Sequence, residues 1–160
     1  MKVEQLMTRD VDCARPEDTL ADAAMIMWRR DCGIVPVVDR TGGRFLGVLT
    51  DRDICMATAT KHCAPDALPV GDVMSRRALT CRSSDDIRVA MHRMAEGQVR
   101  RVPVVDAAGH LEGIVTVNDL TLAAERNAQR GDDVVSYPEA MGVLRAISRH
   151  RHAAKVPALT

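Results

Sequence analysis

The sequence predicts an α+β fold of two β-α-β-β-α repeats packed with pseudo-two-fold symmetry, followed by a C-terminal helical tail. Three observations carry this expectation. An apolar frame recurs 67 positions along the chain. Each copy holds two β-branched runs separated by a glycine-bearing turn. Each copy then ends its last strand on a threonine, with an aspartate three residues further on, inside a helix start.

Taken in order, Leu6-Met7-Thr8 matches Val73-Met74-Ser75. At the same shift Leu20 matches Ile87, Met27 matches Met94, and Val35-Pro36-Val37-Val38-Asp39 matches Val102-Pro103-Val104-Val105-Asp106. After a turn one residue shorter, Gly47-Val48-Leu49-Thr50 matches Gly113-Ile114-Val115-Thr116. A short first strand is expected at Val11–Cys13 and Ala78–Cys81, followed by capping stretches at Arg15–Thr19 and Arg82–Asp86. The next helix carries Leu20, Ala23, Ala24 and Met27 at helical spacing, or Ile87, Ala90, Met91 and Met94. Gly33 and Gly97 fall near the ends of these helices, where glycine is favoured. Strands are expected at Ile34–Val38 and Phe45–Thr50, and at Arg101–Val105 and Leu111–Thr116, with closing helices from Asp51 and Val117.

The expected division is residues 1–62 for the first repeat, 63–69 for a linker, 70–127 for the second repeat and 128–160 for the tail. A unit of about 60 residues with a three-stranded sheet is marginal alone, so the two should pack together and leave a cleft suited to a small ligand. In the tail, Gly131-Asp132-Asp133 is expected to interrupt the last helix, and Ser136-Tyr137-Pro138-Glu139 to start another. The stripe Ala140, Val143, Leu144 and Ile147 suits docking on the unit or on a dimer mate.

Composition narrows the function. A net charge of +0 over 160 residues offers no electrostatic pull toward nucleic acid or an anionic membrane. Trp28, Phe45 and Tyr137 are too few for a stacking surface on single strands. The basic end Arg149-His150-Arg151-His152 is too short for a nucleic-acid patch. No apolar run reaches the length of a membrane span, and Met1–Gln5 leads into a polar segment, so a cytoplasmic location is expected. Cys13, Cys32, Cys55, Cys63 and Cys81 contain no CxxC pair and read as small hydrophobes. His62 and Cys63 lack the second half of a metal site, and no metal is expected. The five histidines stand at no motif spacing from a nucleophile, and neither a P-loop nor GxSxG is present, so no catalytic residue is expected.

Thr50-x-x-Asp53 and Thr116-x-x-Asp119 admit two readings. One is a capping box. The other is a ligand site, because a helix start offers free N–H groups to an anion while the carboxylate accepts from a sugar diol. Their recurrence at matched places favours the site, and the two readings are compatible. Arg100 and Arg101 are the most phosphate-like charges, with Arg101 on the strand face of Pro103 and Arg100 on that of Val102. The first copy has Gly33 and Ile34 there, and Arg52 either compensates or pairs with a neighbouring acid.

The ordered set Val-Pro-Val-Val-Asp, turn, Gly-Ile-Val-Thr, two residues and Asp resembles the cystathionine-β-synthase (CBS) domain, present as a tandem pair over residues 1–127. The resemblance implies a regulatory, energy-sensing module that binds adenosine-containing ligands between its repeats. It requires no cofactor; AMP, ADP, ATP or another adenosyl compound acts as regulatory ligand. It also implies a homodimer, built as a four-domain disc, and a regulated partner protein. By the same resemblance, the Thr116 hydroxyl contacts phosphate or ribose and Asp119 accepts from the ribose, roles that Thr50 and Asp53 share in the first copy. Adenine is placed among Leu79-Thr80-Cys81 and Val102-Pro103 in one site, and among Val11-Asp12-Cys13 and Val35-Pro36 in the other. The second copy, backed by Arg100 and Arg101, is expected to be the stronger site. A ligand-free dimerisation scaffold and a metal- or redox-responsive module are the alternatives.

Overall fold

A computed structural model describes residues 1–41, 43–130 and 135–149. Its elements are α1 (Leu20–Arg29), β1 (Ile34–Val38), β2 (Phe45–Thr50), α2 (Asp51–Lys61), α3 (Ile87–Gly97), β3 (Arg101–Val105), β4 (Leu111–Thr116), α4 (Val117–Arg130) and α5 (Tyr137–Ile147). Both hairpins are antiparallel, pairing Val35 with Leu49 and Val102 with Val115. Every expected strand of these hairpins is present. The mixed α+β architecture is therefore two matched units with an added C-terminal helix.

The expected first strands shrink to one parallel bridge each, Ala14 to Val37 and Cys81 to Val104. The reason is the proline at the centre of β1 and β3. Ala14 N–H donates to Pro36 O, and Val38 N–H donates to Ala14 O. The next rung toward the N-terminus needs an N–H on residue 36, which proline lacks. Pro103 stops the Cys81 ladder in the same way, after Cys81 N–H donates to its carbonyl.

The other edge of each hairpin is met by the opposite repeat. Thr8 and Ile114 exchange two backbone hydrogen bonds of 2.9 Å, and Ser75 and Val48 exchange two of 2.8 and 3.0 Å. The arms that carry these residues are also swapped in the cores. Val3 and Met7 are buried with Ile87, Met94, Val102, Val115 and Leu120 of the second repeat. Val70 and Met74 are buried with Leu20, Met27, Val35 and Leu49 of the first. At the distal end the two turns interlock, Phe45 N–H donating to Gly109 O and Leu111 N–H to Gly43 O.

The glycines differ from their expected role. The left-handed residues after α1 and α3 are Asp31 and Gln98, while Gly33 and Gly97 are small because neighbours approach closely. A Cβ on Gly33 would stand 2.9 Å from Asp51 Oδ2, and one on Gly97 2.9 Å from Leu79 Cδ1. The stretch expected to be a linker is not slack, since Leu68 is buried in the first core and its carbonyl accepts from Leu20 N–H. Helix α4 extends to Arg130, beyond the 127 boundary expected for the second repeat. The expected break at Gly131-Asp132-Asp133 lies outside the described residues.

Helix α5 starts as expected. Ser136 caps it and Glu139 completes a reciprocal box. It packs on α3 and α4, burying Ala140 and Val143, with Leu144 and Ile147 against the same core. Gln98 Nε2 donates to Ala146 O and Arg149 O, tying the end of α3 to the last carbonyls of α5.

The arm crossing explains the glycines of β2 and β4. A Cβ at Gly113 would lie 2.5 Å from Thr8 O, and one at Gly47 would overlap Ser75 O outright. Alanine at either position is expected to lower unfolding free energy by about 1–3 kcal/mol. Urea denaturation checks this, and a value near zero would show that the arms are not held by this contact.

Candidate functional site

Each strand-to-helix junction is a closed capping box. Thr50 Oγ1 donates to Asp53 Oδ2 at 2.7 Å, and Asp53 N–H donates to Thr50 Oγ1 at 3.2 Å. In the second copy the distances are 2.8 and 3.2 Å, and Thr116 N–H adds a 2.7 Å bond to Asp119 Oδ2. Both aspartates leave Oδ1 without a hydrogen bond among the described residues. The first N–H groups of α2 are already engaged, Asp51 donating to Gly33 O, Arg52 to Asp51 Oδ1 and Asp53 to Thr50 Oγ1, so the junction offers a cap and one open carboxylate oxygen.

The crossed arms create two clefts between the repeats, and each combines parts of both. The larger, about 650 Å³, brings Thr50, Asp51 and Arg52 together with Arg77, Ala78 and Leu79 of the second arm. Gly97 to Arg101 and Pro103 close its far wall. The smaller, about 280 Å³, joins Thr116, Ile114 and Arg101 to Thr8, Asp10, Val11 and Asp12 of the first arm, with Arg30 and Ile34. Thr116 thus faces Val11 and Asp12, while Thr50 faces Leu79. Arg100 lies on the Thr50 side, and Arg101 reaches both clefts. A third, shallower hollow runs from Arg100 and Arg101 over Thr116 and Asn118 to Leu144 of α5.

Several residues expected at the sites point elsewhere. Val35, Val102 and Cys81 are core residues, 1%, 0% and 4% exposed, so only their backbone is available. Pro36 is buried and lines neither cleft. Thr80 and Cys13 are half-buried but also line neither of the two clefts. Asp53 and Asp119 stand behind their threonines rather than on the walls. Burial pushes the Cys13 and Cys81 thiols up to about 11, which keeps them protonated and weakly nucleophilic. Among the described residues no cluster of three His, Cys, Asp or Glu side chains is placed to hold a metal.

Residues not anticipated from the sequence are Asp10, Arg30, Arg77 and the Gly97–Val99 corner. The repeat contained a signal for them: 67 positions separate Asp10 from Arg77, Asp12 from Leu79 and Arg30 from Gly97. The matched positions differ in charge. Arg30 makes a bidentate contact with Asp12, at 2.7 and 2.9 Å, and reaches Asp10 at 3.1 Å. That hydrogen bonding is the main reason the Asp12 carboxyl lies below its ordinary value.

This duplicated, arm-swapped α+β unit with an open cleft on each side defines a paired-repeat module, and the chain belongs to the CBS-domain family. The family model described as CBS domain matches residues 3–59 and again 70–126. The chain is similar to the CBS domain-containing protein YhcV of Bacillus subtilis (strain 168), 35% identical over 129 residues that cover 81% of this chain and 89% of that one. Among solved structures it is similar to Hypoxic Response Protein I with two coordinated zinc ions, at 30% identity and a TM-score of 0.69, covering 76% of this chain and 98% of that one. It is also similar to CBSX2 in complex with AMP, at 27% identity and a TM-score of 0.68, covering 78% and 96%. No helix among the described residues is long and apolar enough to cross a membrane.

Because the folded Asp12 pKa is depressed, its stabilising pair with Arg30 is present in full above the ordinary value of 3.8 and fades as pH falls through the lower folded value. Arg30→Ala is expected to return Asp12 toward its ordinary value. A carboxyl titration by NMR checks this, and an unmoved Asp12 would contradict the pairing.

Proposed function

We propose that this chain is a non-catalytic cytoplasmic module that binds an adenine nucleotide in the Thr50 cleft and transmits the binding to a partner protein through a change of shape or assembly. One observation carries the reading: Arg52, Arg77, Arg100 and Arg101 surround a single cleft against one aspartate, Asp51. Asp51 is already engaged, accepting from the Arg52 N–H at 2.7 Å. Arginine suits phosphate because its planar fork donates in pairs. The apolar wall of Ala78, Leu79, Val99 and Pro103 suits the face of a base. The Thr50 hydroxyl stands beside the arginines in the same cleft. The AMP complex of CBSX2 supports the same ligand class.

This reading reverses the expected ranking, in which the second copy was the stronger site. Arg100 and Arg101, which favour the second copy in the sequence, also line the larger cleft beside Thr50 while still bordering Thr116.

Calorimetric titration with AMP, ADP, ATP and S-adenosylmethionine tests the reading. Binding of at least one is expected, and a folded chain that responds to none overturns it. Thr50→Ala/Asp53→Ala should weaken nucleotide binding at least tenfold, while stability falls by about 0.5–2 kcal/mol, the worth of a lost cap. Unchanged affinity would return Thr50 and Asp53 to a purely structural role.

The same reading includes a homodimer. Trp28 and Met25 on α1 and Met56 on α2 are 80%, 53% and 52% exposed, large apolar side chains that a second copy would cover. In light scattering after size exclusion, the native chain is expected at twice its monomer mass and Trp28→Glu at the monomer mass. A native monomer excludes the dimer.

A further inference from the structure

The two clefts occupy equivalent places in the fold, yet their walls have diverged in charge and in room. Around Thr50 four arginines stand against one aspartate, in about 650 Å³. Around Thr116 two arginines stand against two aspartates, in about 280 Å³. One of those two arginines, Arg30, is already committed to Asp12 and Asp10 through the bonds described above. The other, Arg101, is shared with the Thr50 cleft. A phosphate bound beside Thr50 engages Arg101, the one uncommitted arginine lining the smaller cleft, while Arg100 borders Thr116 only from the separate hollow toward α5. What an anion would then meet in the smaller cleft is Asp10 and Asp12 sharing the single guanidinium of Arg30, a net negative charge.

The apolar surface of the smaller cleft is nevertheless intact. Val11, Ile26, Ile34 and Ile114 line it, and Thr116 with its helix start stands at one end. These groups suit a base and a sugar. At the position where the first repeat holds the Arg30–Asp12 pair, the second repeat packs Leu79 against Gly97, so close that a Cβ there would lie 2.9 Å from Leu79 Cδ1. One copy has therefore placed an ion pair where the other has placed an apolar contact.

We infer that the Thr116 cleft is a second site of different specificity, which takes an uncharged nucleoside and rejects nucleotides, with Asp10 and Asp12, held by Arg30, as its specificity-determining residues. The inference builds on the nucleotide reading of the Thr50 cleft and deepens it. The module then reports two ligands: a phosphorylated one on the basic side and an unphosphorylated one on the acidic side. Discrimination between them rests on charge repulsion and on volume.

The test is calorimetry on the full chain with AMP and adenosine as probes. AMP is expected to bind once per chain. Adenosine, titrated into AMP-saturated protein, is expected to bind once more. Asp10→Asn/Asp12→Asn/Arg30→Gln should lower the preference of this second site for adenosine over AMP at least tenfold, with circular dichroism confirming the fold. AMP binding twice per native chain, no adenosine site on the AMP-saturated chain, or an unchanged preference in the variant overturns the inference and leaves the nucleotide reading intact. Failure of AMP to bind while adenosine binds one site, with its preference altered in the variant, rejects AMP as the Thr50 ligand and leaves the second site standing.

Discussion

The reciprocal bridge between each arm and the opposite hairpin is the contact on which the rest of the molecule depends. Thr8 pairs with Ile114 and Ser75 with Val48, so the β2 and β4 edges are each met by the opposite repeat. Val3 and Met7 complete the second core and Val70 and Met74 the first, so neither repeat is a finished hydrophobic unit alone. Two small sheets that would be marginal apart become one body. The exchange demands glycine at 47 and 113, because a carbonyl oxygen of the arm occupies the space of a side chain.

The same exchange builds the clefts. After crossing, each arm runs back toward its own repeat past the strand-to-helix junction of the other. The central prolines of β1 and β3 then cut the arm's ladder to one bridge, leaving residues 10–12 and 77–79 as cleft walls rather than as buried strand. A donor missing from one position in each strand thus converts a would-be sheet edge into a lining surface. The capping boxes contribute rigidity: threonine and aspartate hold each other, so each strand-to-helix junction is ordered before any ligand arrives.

Divergence between the copies follows the same division of labour. Positions that serve the core have kept their apolar character, Val35 and Val102 or Leu20 and Ile87, because packing tolerates little else. Positions on the cleft walls carry no such constraint, and there the copies differ in charge, as at Asp10 against Arg77 and Arg30 against Gly97. The tail breaks the symmetry further. Helix α5 covers only the second repeat, and Gln98 links its last carbonyls to a corner that lines the Thr50 cleft.

The sequence by itself determined the elements and their order. Helical spacing, β-branched runs and the threonine–aspartate caps are local properties, and they placed β1 to β4 and the starts of α2, α4 and α5 where they are observed. The duplication and the family were equally legible, since both rest on residues read in order. Which residues share a cleft was not. Periodicity says nothing about an arm leaving its own repeat: it groups Thr116 with the Leu79 segment, whereas space sets it beside Val11 and Asp12. Nor does alternation reveal that Val35, Val102 and Cys81 turn inward, or that a proline ends the first strand at a single rung. Those outcomes depend on which backbone groups find partners across the pseudo-two-fold axis, and only the packed tertiary structure decides that.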